Sequence, residues 1–152
     1  MDSSNKRISL SVQYACSEKN IPSRAQLRRW VSASAQRSLQ LTVRFVNAKE
    51  GRALNRDFRG KDCATNVLSF VYEACAADTT RTIGGDIAIC VDVIRKEAKE
   101  QRKSVHAHFA HMVIHGVLHV QGFDHERVKD ASVMEAREIE LLRRFNIANP
   151  YE

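Results

Sequence analysis

The sequence predicts a single α+β domain over residues 1–152, with a mixed four- to five-stranded sheet packed with helices. Three observations carry that class. Short alternating or apolar segments crowd the chain as far as Cys90, and helical periodicity takes over after it. No internal repeat, low-complexity tract or Pro/Gly/Ser-rich linker divides the chain. At 152 residues, 43% hydrophobic and 28% charged, it has the length and composition of one globular core.

The elements follow in order. ISLSVQY (Ile8–Tyr14) alternates apolar and polar residues as a half-buried strand does. Ile21-Pro22-Ser23 opens a helix that places Leu27, Trp30, Val31 and Leu39 near one face. LTVRFV, residues 41–46, reads as a second strand. Asn47 and Glu50 have the spacing of a capping box and start a helix carrying Leu54 and Phe58. The polar loop RGKDCA leads to a third strand, NVLSFVY, at 66–72. A loop of small and polar residues at 73–81 precedes a fourth strand, IGGDIAIC (Ile83–Cys90). Three helical segments follow, at 92–101, 104–120 and 130–145. The second holds five of the six histidines, and the third sets Met134, Ile139, Leu141, Leu142 and Phe145 among many charges.

Composition excludes some classes. No apolar run is long enough to span a bilayer, which needs about 18 residues or more. The N-terminus MDSSNKRISLSVQYA lacks the apolar core of a secretory signal, so a cytoplasmic protein is expected. Cys16, Cys63, Cys75 and Cys90 are scattered without a C-x-x-C pair, and are expected to be reduced and mostly buried. The formal charge of +6 is uneven. Residues 1–60 hold twelve Lys/Arg against four Asp/Glu, and residues 61–152 hold twelve against fourteen. The basic half suits a polyanion such as nucleic acid, or is simply a solvated face; charge alone does not choose between RNA, DNA and an anionic membrane.

The stretch HGVLHVQGFDH concentrates the chemistry. His115 and His119 are four apart, so on a helix they project from one face about a turn apart. Gly122 stands where a helix ends in a left-handed residue, a reversal that brings His125 back toward the pair. Three neutral imidazoles with a fourth position open to water describe a catalytic zinc site, whereas a structural zinc takes a fourth protein ligand. His111, one turn before His115, is a partner for a ligating histidine or an ordinary packed one; His106 and His108 are given no role. The spacing matches the metzincin protease pattern H-E-x-x-H-x-x-G-x-x-H, except that Gly116 replaces the glutamate acting there as general base. A three-histidine zinc still activates water, and its substrate need not be a peptide.

HGVLHVQGFDH also resembles the signature H-G-x-L-H-x-x-G-x-D-H of the YbeY family, bacterial endoribonucleases that mature ribosomal RNA. NRDFRGKDCATNVLSF, residues 55–70, is similar to that family's N-x-x-[YF]-R-x-x-[DN]-x-x-T-[DN]-V-L-S-F, and GGDIAIC to its G-D-[IL]-x-I. The likeness runs from about Leu41 to the end; Asn66 stands where many members carry Asp. The resemblance implies a single α+β domain with a zincin-like metal-bearing helix, and one Zn2+ held by His115, His119 and His125. It implies cleavage of single-stranded RNA, maturation of the 3′ end of 16S ribosomal RNA, ribosome quality control, and association with the ribosome or its proteins. The family's functionally important arginine falls on Arg59.

The expected roles follow from chemistry. Arg59 pairs with a phosphate through its fork of donors, with Lys61 beside it and Arg56 adding backbone affinity; the bland account of Arg59 is a surface ion pair. Asp124 and Asp86 are the candidate proton acceptors, and each is equally a capping or structural carboxylate. Thr65 and Ser69 are candidates to line the groove. Phe70 and Tyr72 offer stacking surfaces for bases, or serve as core. Two other functions compete: a zinc metallopeptidase, opposed by Gly116, and a non-catalytic ribosome-assembly factor with a structural zinc.

Overall fold

The computed structural model describes residues 6–17, 19–72, 82–123 and 127–152. The loop expected at 73–81, with Cys75, lies outside these residues, as do Asp124 and His125. The order is β1 (Ile8–Tyr14), α1 (Arg24–Ser34), β2 (Leu39–Val46), α2 (Ala48–Arg59), β3 (Val67–Val71), β4 (Ile83–Cys90), α3 (Val91–Glu100), α4 (Val105–Val120) and α5 (Val128–Arg144).

The described strands form one mixed sheet in the order β1-β2-β4-β3. β1, β2 and β4 are parallel, and β3 runs antiparallel to β4 at the edge. Ser23 caps α1 through Gln26 N, and the helix buries Leu27, Trp30 and Val31. Leu39, grouped by spacing with that helix, instead opens β2. The helix closes at Ala35, whose N–H returns to Val31 O, and Leu39 takes up parallel register with Ile8. Pairing with β1 decided that residue, which helical periodicity alone misplaced.

Strand alternation sorts the sheet into two unlike faces. Leu41, Val43 and Phe45 of β2 and Ile87 and Ile89 of β4 are buried on one face, where Phe45 meets Phe109 of α4 edge to face at 5.8 Å. α4 is the central helix: Phe109, Ala110, Val113, Ile114, Val117 and Leu118 are all fully buried. α1, α3 and α5 pack around it. Among the described residues α2 covers the opposite face, where Gly51 approaches Cys90 and Val46. Asn47 caps α2 by accepting from Glu50 N, but the Glu50 carboxylate pairs with Arg44 at 2.6 Å, so only half of the expected capping box forms.

The cysteines divide. Cys90 is buried, Cys16 is half-buried and Cys63 is exposed, so the expectation of burial fails at Cys63. That residue stands in the polar loop after α2, held through its carbonyl by Asn55 Nδ2 at 2.8 Å. No helix among the described residues is long and apolar enough to cross a membrane.

Candidate metal centre

Ser104 starts α4 by accepting from Ala107 N at 3.0 Å, and sixteen residues of unbroken helix follow. The helix stops as its glycine predicts. Gly122 takes φ +104°, Gly122 N bonds to His119 O and Phe123 N reaches back to Leu118 O at 3.1 Å. The chain therefore reverses at Gly122, one turn after His119 and three residues before His125 in sequence.

His115 and His119 project from one side of α4. Their rings are 6.4 Å apart, centroid to centroid, and within 5° of parallel. Both are half-buried, between the buried core of the helix and its accessible flank. His115 is anchored from behind: its Nδ1 lies 2.7 Å from Oε2 of Glu138 on α5. His111 Nε2 lies 2.8 Å from the other carboxylate oxygen, Oε1, which also accepts from the hydroxyl of Tyr151. His111, left open between two roles by its spacing, thus shares one carboxylate with a candidate ligand.

Glu138 is fully buried, yet it is charged. Burial pushes its pKa up, but the hydrogen bonds from His111, His115 and Tyr151 outweigh that and bring it down to about 2. An ionised carboxylate accepts only, so His115 donates to it through Nδ1–H, and in a neutral ring this leaves Nε2 as the ligating nitrogen. Carboxylate–histidine pairs of this kind orient metal ligands and raise their basicity. The histidine pair and its carboxylate therefore fit a borderline metal such as zinc, with His115 and His119 as donors and His125 as the third in sequence.

A second network lies upstream on the same helix. His108 Nε2 meets Glu97 Oε1 at 2.8 Å, and Asn66 Nδ2 reaches the same carboxylate at 3.1 Å. Burial pushes the His108 pKa down despite Glu97, keeping that histidine neutral. Asn66 Oδ1 also accepts from Val67 N at 2.7 Å, so it ties the start of β3 to α3.

Gly116 faces the sheet. A Cβ there would stand 3.1 Å from Ile87 Cγ2 and 3.4 Å from Val67 Cγ2. The position that carries a general base in the metzincin pattern is pressed here against strand side chains, and any side chain there would crowd Ile87 and Val67.

The arginine and lysine candidates stand around β3. Hydrogen bonds from Cys90 N to Asn66 O and from Tyr72 N to Gly84 O set the pairing phase, so Ser69 presents its backbone groups away from β4. Arg59 Nη2 donates to that outward Ser69 carbonyl at 2.9 Å, and its guanidinium lies 5.8 Å from the centre of the Phe70 ring. Arg59 and α4 thus flank the same edge strand, one on its rim and the other against Val67. Lys61 is exposed just past the α2 terminus, and Arg56 is exposed beside Asp57 at 3.2 Å. Thr65 is half-buried, while Ser69 is nearly covered and contributes its carbonyl.

Asp86 does not join the histidines. Its neighbours Gly85 and Ile87 face Val120 and Gly116 of α4, so alternation turns Asp86 to the far side of the sheet. There it accepts from the Tyr72 hydroxyl and borders a groove of about 510 Å³ with Arg44, Phe58, Phe70 and Tyr72. The sheet separates it from His115 and His119, which removes it as a proton acceptor at that site. The two aromatic candidates are wall residues rather than core: Tyr72 is 51% exposed and Phe70 packs edge to face on Phe58.

Sequence reasoning missed Glu138 and Tyr151. A signal for Glu138 exists: Met134, Glu138, Leu141 and Leu142 share the buried stripe of α5, and a carboxylate on such a stripe needs partners. Tyr151 has no such signal, because only the fold of the C-terminal residues brings it near.

Comparison with known proteins gives the family. The family profile described as Endoribonuclease YbeY matches residues 11–146. A protein named Endoribonuclease YbeY from Thiobacillus denitrificans is 49% identical over 142 residues, covering 93% of this chain and 95% of its own length. One of the same name from Janthinobacterium is 50% identical over 146 residues, covering 95% of each. A Thermotoga maritima protein solved in solution shares the fold, with a TM-score of 0.54, 22% identity and 87% of each chain covered. The chain belongs to the endoribonuclease YbeY family, hydrolases of RNA phosphodiester bonds.

Proposed function

We propose that this protein is a zinc-dependent, single-strand-specific endoribonuclease of the cytoplasm that matures the 3′ end of 16S ribosomal RNA, works in ribosome quality control and associates with the ribosome or its proteins. The observation that carries the metal-dependent reading is the buried Glu138 carboxylate, which anchors His115 through Nδ1 beside a parallel His119 on the same side of α4. His115, His119 and His125 would hold the ion. Zinc at such a site supplies Lewis-acid stabilisation of phosphoryl charge and activation of water.

The chain's own residues supply the rest. Glu138 fixes the His115 tautomer, and His111 and Tyr151 satisfy the remaining oxygen. Arg59 spends one donor on Ser69 O and directs a planar, permanently charged group from the rim of β3, suited to a substrate phosphate. Lys61 and Arg56 add attraction for the backbone. Asp124, next to His125 in sequence, is the remaining candidate proton acceptor. The filled space at Gly116 speaks against a peptidase, whose general base stands at that position.

The test compares zinc-loaded protein on single-stranded RNA, double-stranded RNA and an unfolded protein, with His119→Ala, Arg59→Ala and chelator arms. Selective cleavage of single-stranded RNA, lost in His119→Ala and with chelator, is expected. Peptide cleavage lost in that variant would favour the peptidase, and zinc binding without any cleavage would favour the assembly factor. RNA cleavage persisting in His119→Ala would sink the assignment.

A further inference from the structure

The C-terminal residues return to the histidine site. Asn146 adopts φ 61° just after α5, and Ile147 N bonds to Leu142 O at 3.0 Å, reversing the chain. Ile147 packs against the core, and Asn149 Oδ1 accepts from Tyr151 N at 2.8 Å. These two turns direct the Tyr151 ring back along α5. It meets the His111 ring edge to face at 5.4 Å, and its hydroxyl donates to Glu138 Oε1. His111 Nε2 is 3.2 Å from the same hydroxyl.

We infer that Tyr151 is a positioning residue for the metal site: its hydroxyl, with His111, occupies Oε1 of Glu138 and so commits Oε2 to His115 Nδ1. This rests on the metal-dependent reading of that site. The physical reason is saturation of a buried acceptor. A carboxylate sealed from water must have its lone pairs satisfied by protein donors, or it rotates toward whichever donor remains. With the hydroxyl in place, Oε1 is claimed by two donors on its own side, and the best acceptor left to His115 is Oε2. Without it, His111 is the single partner of Oε1, and the carboxylate has room to turn. His115 then loses the acceptor that keeps its proton on Nδ1, and a proton on Nε2 blocks metal ligation. Tyr151 is 46% exposed, so its ring adds little to the core and its hydroxyl is the group that bears on Glu138.

The test uses the full chain with Tyr151→Phe, which keeps the ring and removes only the hydroxyl. In the metal-free wild type, nitrogen NMR of the imidazoles should find His115 with its proton on Nδ1; in Tyr151→Phe it should find a mixture of tautomers. Competition with a chromophoric chelator should show zinc affinity falling about tenfold, the scale of losses behind metal-binding histidines. A zinc dissociation constant within twofold of wild type, or an unchanged His115 tautomer, overturns the inference. Should the wild type bind zinc tightly yet cleave no RNA, the nuclease reading fails while these two readouts still decide the role of Tyr151.

Discussion

Replacing Gly116 by alanine sets two effects of known size against each other. Alanine is favoured over glycine in a helix interior by about 1 kcal/mol. The added methyl, however, would stand 3.1 Å from Ile87 Cγ2 and 3.3 Å from Ile87 Cδ1. Ile87 is fully buried on β4, and its Cγ2 is fixed at the branch of a stiff side chain. Overpacking of this kind costs about 1–3 kcal/mol. The steric term wins, and a net loss of about 1 kcal/mol is expected, equivalent to a fall of about 2–4 °C in Tm for a chain of this size. Thermal and urea unfolding of the metal-free protein measure it. A cycle sharpens the test: Ile87→Ala alone should cost about 2–5 kcal/mol, and the double variant clearly less than the sum of the two singles. A rise in Tm on Gly116→Ala, or strict additivity with Ile87→Ala, refutes the claim that the helix–sheet approach demands glycine.

The other expectations concern charge. Glu138 has a folded pKa of about 2 against an ordinary 4.5, so its contribution is present above pH 4.5 and lost as pH falls toward 2. That shift corresponds to on the order of 3 kcal/mol, and acid unfolding of the metal-free protein should be flatter across this window in Glu138→Gln. His108, whose pKa burial depresses, adds a loss with the same sign that begins as pH drops below its ordinary 6.5. His119→Ala should abolish stoichiometric zinc binding by mass spectrometry while leaving the circular dichroism spectrum unchanged, because that ring is not core. Arg56→Ala and Lys61→Ala should each reduce the slope of log RNA affinity against log salt by up to about 1, with no change in zinc content.

Much of the site was legible in local pattern. The i, i+4 histidines, the Gly122 reversal and the capping residues act over one or two helical turns, so spacing along the chain reports them faithfully. Where partners come from distant segments, spacing is silent. Leu39 continued a helical stripe yet joined β2, because pairing with Ile8 outweighed periodicity. Asp86 looked close to the histidine site by motif, and strand alternation turned it to the other side of the sheet.

By itself, the sequence determined the α+β class, the helix that carries His115 and His119, the basic N-terminal half and the likeness to a ribonuclease family. All of these follow from periodicity, composition and short-range motif. Only the tertiary structure decided that Glu138 and Tyr151 stand behind His115, that Gly116 is pressed on Ile87, and that Arg59 caps the outer rim of β3. Those relations join residues far apart in the chain, and burial decides them: a carboxylate sealed from water acts through whichever donors the fold delivers to it.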